Sequence, residues 1–299
     1  EDVFTPTGLE FFGRLNLMKG GIVFSDYLTT VSPTYSREIQ TAEYGCGLEG
    51  ALTHRRDRLV GIVNGIDTDI WDPQTDRELP ARYHAQDLTG KAICKTALQQ
   101  SFNLPVVDAP LCVIVSRFAS QKGLDLVAGM LPTFLKADVQ LILLGTGEPD
   151  IEERFQSLAQ QYPKKVGVRI GFDEGLAHRI EGGGDLFLMP SRYEPCGLSQ
   201  LISLRYGTVP VVRRTGGLAD TVSPFTREGR LVGGTGFFFE EATSAALLAS
   251  VRAALRVYAD REAWQSLVRA GLQTDVSWKK SAETYVSLYR RIVAERDEA

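Results

Sequence analysis

The sequence predicts an α/β protein with a doubly wound parallel sheet, and three features carry that prediction. From Leu111 onward, short apolar runs alternate regularly with helix-patterned stretches. The runs are apolar without a polar alternate, as in strands buried on both faces of a parallel sheet. Each run ends in a turn that opens a helix, the order in which parallel strands are joined by crossovers.

In chain order the strands are expected at residues 111–116, 139–144, 166–170, 185–189 and 208–212. Helices follow at 123–135, 151–162, 174–181, 198–206 and 217–222. Three further helical patterns, 243–258, 263–270 and 278–295, succeed one another with no strand between them. Ahead of the sheet, 91–102 reads as a helix that stops before Pro105, because the residue preceding proline is pushed out of helical geometry.

The first hundred residues read differently. Residues 20–31 hold a helix end and a strand (27–31) stopped by Ser32-Pro33, after which Ser32 or Thr34 caps a helix at 35–40. Residues 59–63 are a second short strand ended by Asn64-Gly65, and 73–87 form a polar, turn-rich connection. Roughly sixty residues cannot build a second open sheet, which takes about 100 or more. The front, which opens on Glu1-Asp2-Val3-Phe4 as though in mid-chain, is therefore expected to be the closing part of another domain. The expected division is 1–58 for that remnant, 59–275 for the complete doubly wound domain, and 276–299 for a terminal helix packed back on the remnant.

A formal net charge of -4 over 299 residues gives no sign of a nucleic-acid or acidic-membrane surface. No apolar run approaches the roughly 18 residues that span a bilayer, and no secretory leader pattern is visible. Cys46, Cys94, Cys112 and Cys196 are scattered without a C-x-x-C pair, which fits a reduced compartment. His54, His84 and His178 have no metal-ligand spacing, so neither a metal nor another cofactor is expected.

Chemistry concentrates where strands end. Glu194 lies at the turn from the fourth strand into its helix, and Thr215-Gly216-Gly217 at the turn after the fifth. Open α/β sheets place ligands at such carboxyl ends. Arg117 follows the first strand and Lys122 opens the next helix, so both cations face the same edge. A guanidinium fork and a mobile ammonium suit a diphosphate that gains charge as its bond to sugar breaks. Glu194 has no charged sequence neighbour; it is either a sugar-facing acid or a residue that favours a helix N-terminus. The backbone amides near Cys196, Gly197 and Leu198 are placed for sugar hydroxyls, and Gly216 and Gly217 for close approach to phosphate.

Other residues carry two readings. Gly145-Thr146-Gly147 is either a tight turn or a point of nucleotide approach. Phe172, ending the third strand, either stacks on a base or packs in the core. Cys196 lacks a histidine partner and reads as a packing thiol. His178 reads as structural and Trp278 as a core or interdomain anchor.

Four blocks, 63–73, 116–125, 189–200 and 206–222, occur in an order and spacing that closely resembles the bacterial glycogen synthase and plastid starch synthase family. The Glu194-Pro195-Cys196-Gly197-Leu198 and 213–222 blocks are the most specific, and the resemblance runs from Gly8-Leu9-Glu10-Phe11 to the last helix. It implies a GT-B fold, two Rossmann-like domains facing a cleft, with the C-terminal one complete here. It also implies metal-free, retaining transfer of glucose from ADP-glucose to the 4-hydroxyl of an α-1,4-glucan, in bacterial cytoplasm or plastid stroma. On the matching positions Arg117 and Lys122 would hold the diphosphate. Glu194 would stabilise the transferred glucose, Cys196–Leu198 would contact the sugar, and Thr215, Gly216 and Gly217 the phosphate. Asn64 and Phe172 would be cleft and adenine-side positions.

Two positions depart from related patterns. A second glutamate eight residues after the first is replaced by Ile202, as is general in the synthases. Lys19-Gly20-Gly21 is not the family's N-terminal donor loop, because it sits in mid-domain. With that loop outside the sequence, weak or absent activity is expected of this chain alone. The competing expectations are a non-catalytic ADP- or glucan-binding module and a transferase for another nucleotide sugar such as UDP-glucose.

Overall fold

The computed structural model describes residues 3–229 and 231–297. The front builds small elements: ribbon strands β1 (Glu10–Phe11) and β2 (Arg14–Leu15), helix α1 (Leu17–Phe24), strand β3 (Leu28–Thr30), helices α2 (Pro33–Glu38) and α3 (Glu49–His54), and strand β4 (Leu59–Gly61). Of the two caps expected for α2, Ser32 does the work: its side chain accepts from Tyr35 N, and Pro33 occupies the first turn, where it needs no amide partner. The helix end expected within residues 20–31 is the close of α1 at Phe24, a helix capped at its start by Asn16. β3 and β4 pair in parallel, Leu28 opposite Leu59, so the front sheet reaches past residue 58.

After helix α4 (Thr89–Ser101) the main layer runs β5 (Leu111–Val115), α5 (Leu124–Phe134), β6 (Gln140–Gly145), α6 (Pro149–Gln161), β7 (Val166–Ile170), α7 (Glu174–Gly183), β8 (Leu186–Met189), α8 (Ser199–Arg205), β9 (Val209–Arg213) and α9 (Gly216–Thr221). A hairpin, β10 (Thr226–Glu228) and β11 (Leu231–Gly233), precedes strand β12 (Phe237–Phe239) and helices α10 (Ser244–Tyr258), α11 (Arg261–Gln273) and α12 (Trp278–Asp297). The sheet order is β12-β9-β8-β5-β6-β7, every pairing parallel. The five expected strands are present. β12 is a sixth, three residues long and held by register with β9, Phe237 opposite Val211.

The core lies on both faces of this sheet, as the unbroken apolar runs require. Along β5, Cys112 and Ile114 join one cluster with α5, α10 and α11. Leu111 and Val113 join the other, with Leu98, Leu176 and Leu218. Full burial of each such aliphatic side chain contributes about 1.5–3 kcal/mol. The 73–87 connection is tied down by Asp76, which accepts from Tyr206 OH and lies 2.8 Å from His178 Nδ1. His178 also stacks on Trp71, centroids 3.9 Å apart, and is buried, so its role is structural. Trp278, by contrast, is 47% exposed and is no core anchor. Helix α12 runs along the front segment, where the Glu295 carboxylate accepts from Tyr27 OH at 2.7 Å and Ser281 Oγ donates to Val63 O.

Candidate active site

Strands β5 and β8 are neighbours, and the chain winds outward from them in both directions. This is the topological switch point of the sheet, where the carboxyl ends of the two strands splay apart and leave a crevice. A cavity of about 210 Å³ lies there, lined among others by Arg117, Lys122, Ser191 and Ser199.

Local sequence brings Lys122 to this crevice. Residues 120–122 form a single 3-10 turn, closed by Gly123 at φ +65°. A Cβ on Gly123 would lie 2.1 Å from Pro190 O, so only glycine lets the turn press against the end of β8. The Lys122 ammonium then reaches Glu194 Oε2 at 2.6 Å, with the two side chains only 15% and 9% exposed. Ser191 Oγ donates to the same oxygen at 2.9 Å. The absence of a charged sequence neighbour thus hid a cation delivered from 72 residues away. Both bonds go to Oε2 of Glu194, and none from the described residues goes to Oε1. Arg117 is exposed beside the pair, without an ion-pair partner among the described residues.

The glycines of the site answer mainly to the protein's own backbone. Cβ atoms on Gly145 and Gly147 would strike Ser116 O and Phe118 O, at 1.9 and 2.2 Å. Gly145-Thr146-Gly147 is thus a tight turn packed on the β5 loop. Glu152 closes the turn by accepting from Thr146 Oγ1 and Gly147 N, donors that hold its carboxyl below the usual range. Gly216 and Gly217 press on Glu194 O and Cys196 O, where Cβ atoms would come within 2.0 and 1.9 Å. Their amides are already engaged: Gly216 N donates to Glu38 Oε1, and Gly217 N to Glu194 O. Thr215 Oγ1 likewise donates to Glu38 Oε1.

The loop before α8 presents its amides differently. Gln200 Nε2 donates to Cys196 O and Gly197 O, at 3.0 and 2.9 Å. Across a trans peptide the next amide points the opposite way, so the N–H groups of Gly197 and Leu198 face away from Gln200. Cys196 is buried, and burial pushes its thiol up, away from thiolate reactivity. Phe172 is 90% exposed at the end of β7, which excludes core packing. Asn64 lines a second cavity of about 280 Å³ with Asp220, Ser277 and Lys280, and its backbone meets the Cys196 thiol in the loop before α8. Among the described residues no cluster of three or more His, Cys, Asp or Glu has the form of a metal site. Among the described residues no helix is long and apolar enough to cross a membrane.

Sequence reasoning brought Arg117, Lys122 and Glu194 together correctly on one sheet edge. Ser191 and Gln200 went unmarked inside the recognised 189–200 block, and Glu38 lies outside every recognised block, with no local signal of its partner at Gly216.

Comparison with known proteins places this geometry. The family description "Glycosyl transferases group 1" matches residues 98–270, and "Starch synthase catalytic domain" matches residues 1–54. A glycogen synthase of Anaeromyxobacter sp. (strain Fw109-5) is 54% identical over 294 residues, covering 98% of this chain and 61% of the relative. The catalytic domain of starch synthase IV from Arabidopsis thaliana, bound to ADP and acarbose, superposes with a TM-score of 0.90 at 38% identity, over 98% of this chain and 61% of that one. Sucrose-phosphate synthase from Thermosynechococcus elongatus shares the fold at 20% identity, with a TM-score of 0.64, over 93% of this chain and 61% of that one. The chain thus spans about 61% of the length of the glycogen synthase and starch synthase it matches. It carries one complete doubly wound half of a GT-B architecture. By these matches the chain belongs to the glycosyl transferase group 1 family, and within it is similar to glycogen and starch synthases.

Proposed function

We propose that this chain supplies the nucleotide-sugar half of an enzyme that transfers glucose from ADP-glucose to the 4-hydroxyl of an α-1,4-glucan, with retention of configuration. The observation that carries this reading is the Glu194 carboxylate. One of its oxygens is held by Lys122 and Ser191, two residues that line the crevice at the sheet's switch point. The exposed Arg117 stands on the same edge.

In this reading the bond from glucose C1 to the β-phosphate oxygen breaks, and its electron pair leaves with ADP. Lys122 and Arg117 meet the charge that develops on the diphosphate. Preorganised cations in a shielded site stabilise such charge without reorganising. Glu194 Oε1 faces the sugar, which becomes oxocarbenium-like as C1 loses its leaving group. The new bond forms from acceptor O4 to C1 on the face that ADP vacates, and the O4 proton passes to the departing phosphate. No protein base is needed for that step. The exposed Phe172 ring offers a stacking surface for the base.

The chain alone holds one wall of the cleft, and transfer needs both walls preorganised. The test is therefore a chimaera in which the leading part of the Anaeromyxobacter glycogen synthase precedes this chain. Labelled glucose should pass from ADP-glucose to glycogen with the chimaera, and weakly or not at all with this chain alone. UDP-glucose in the same assay decides donor preference. A folded chimaera that transfers glucose from no nucleotide sugar would overturn the reading. ADP binding without transfer would then favour a non-catalytic nucleotide-binding module.

A further inference from the structure

Helices α2 and α9 cap each other. Glu38, the last residue of α2, accepts from Gly216 N at 2.9 Å and from Thr215 Oγ1 at 3.0 Å, at the start of α9. Asp220, near the end of α9, accepts from Thr34 N at 2.9 Å and from Ser32 Oγ and Thr34 Oγ1, at the start of α2. The two helices are thus antiparallel, and each lends an acid to the other's amino end.

Neither acid is where its own helix wants it. A carboxylate in a last turn faces the negative end of the helix dipole, which disfavours it. Thr215, at the cap position of α9, makes no capping bond to its own helix and spends its hydroxyl on Glu38. At α9 the local cap is given up for the long-range contact with Glu38, whereas α2 keeps its own Ser32 cap beside Asp220, and a local preference overridden in this way marks a site held for a purpose other than helix stability.

The purpose is legible in what α9 touches next. Its first turn is the floor under the catalytic loop. Gly217 N donates to Glu194 O and Pro195 O, at 3.0 and 3.2 Å, and the Gly216 and Gly217 backbone leaves no room for a side chain against Glu194 O and Cys196 O. A continuous chain of contacts therefore runs from Glu38 through residues 215–217 to the backbone of Glu194. We infer that Glu38 is a positioning residue, which sets the height of the Glu194 carboxylate in the crevice by clamping the first turn of α9. The inference rests on the glucosyl-transfer reading for its catalytic consequence, but not for the coupling itself.

Two variants separate the hydrogen bonds from the charge. Glu38→Gln retains an oxygen able to accept from Gly216 N and Thr215 Oγ1, whereas Glu38→Ala retains none. In this chain, amide hydrogen exchange followed by NMR should show Gly217 N–H, one residue beyond the direct contact, exchanging at least about tenfold faster in Glu38→Ala. Glu38→Gln should stay within about threefold of the wild type, as should amides of β5, β6 and β8 in both variants. In the chimaera, Glu38→Ala should lower kcat roughly 10–100-fold while KM for ADP-glucose moves far less, and Glu38→Gln should restore most of kcat. An unaltered Gly217 exchange rate in Glu38→Ala would overturn the coupling. So would Glu38→Gln behaving like Glu38→Ala. A kcat loss matched by general loss of protection across the sheet would reduce Glu38 to a stability role and overturn the positioning claim. A wild-type chimaera without activity removes the glucosyl-transfer reading instead, and the exchange data still decide the coupling.

Discussion

Lys122 Nζ and Glu194 Oε2 lie 2.6 Å apart, joining the loop after β5 to the loop after β8 across the switch point of the sheet. Both side chains are largely shielded from water, so the pair is not an ordinary surface ion pair of negligible worth. It offsets the Glu194 charge and holds the ammonium at the edge of the crevice that Lys122 lines.

Breaking the pair from one side should cost more than removing it. Lys122→Met leaves a shielded carboxylate with only Ser191 to satisfy it, and should lower stability by about 2–4 kcal/mol. The double variant Lys122→Met/Glu194→Gln should recover a large part of that loss. Urea unfolding of the four members of the cycle measures the coupling directly. Additive losses would mean that the two side chains do not interact as described.

Phe172 separates binding from stability. With 90% of its surface exposed, its removal should leave unfolding unchanged within about 0.5 kcal/mol. If the ring carries the base, Phe172→Ala should weaken ADP binding by about 1–3 kcal/mol, roughly 5–150-fold in Kd, read by calorimetry. Equal ADP affinity in the two proteins would remove Phe172 from the site.

A buried lysine remote from the crevice makes stability depend on pH. Lys91 Nζ donates to Gly182 O, Tyr206 O and Thr208 Oγ1, and burial pulls its pKa from the ordinary 10.5 down to about 8. The unfolded chain therefore binds more protons than the folded one between those values, and this contribution to stability rises with pH across that window. Wild type should gain on Lys91→Met as pH increases from 8 to 10.5, measured by urea unfolding at several pH values. A difference that is flat or falls over the window would contradict the assignment.

What the sequence disclosed and what it hid have one physical cause. The five strands from Leu111 to Val212 were legible because burial on both faces writes a continuous apolar run. β12 was not, since three residues, Phe237–Phe239, are too short for a period and owe their state to pairing with β9. Arg117, Lys122 and Glu194 could be assigned to one edge by topology alone. Their mutual contact could not, because Gly123 against Pro190 O is what aims Lys122 at Glu194, and no local pattern records that. Gly216 and Gly217 announced a close backbone approach, and the approach is real. Its partners include Glu194 O and Cys196 O, whereas sequence alone suggested only a phosphate. The same blindness to long-range partners hid Glu38, which lies 178 residues before the amide it caps.

The central claim is that Glu194 acts on the sugar and not on the nucleotide or the fold. It is tested most directly by the rate at which the chimaera transfers labelled glucose from ADP-glucose to glycogen, with Glu194 intact and as Glu194→Ala. The account predicts that turnover falls about 10²–10³-fold while ADP affinity stays within about threefold and the unfolding transition remains cooperative. Turnover within about twofold of the intact chimaera, or a loss explained entirely by weaker ADP binding, would contradict it.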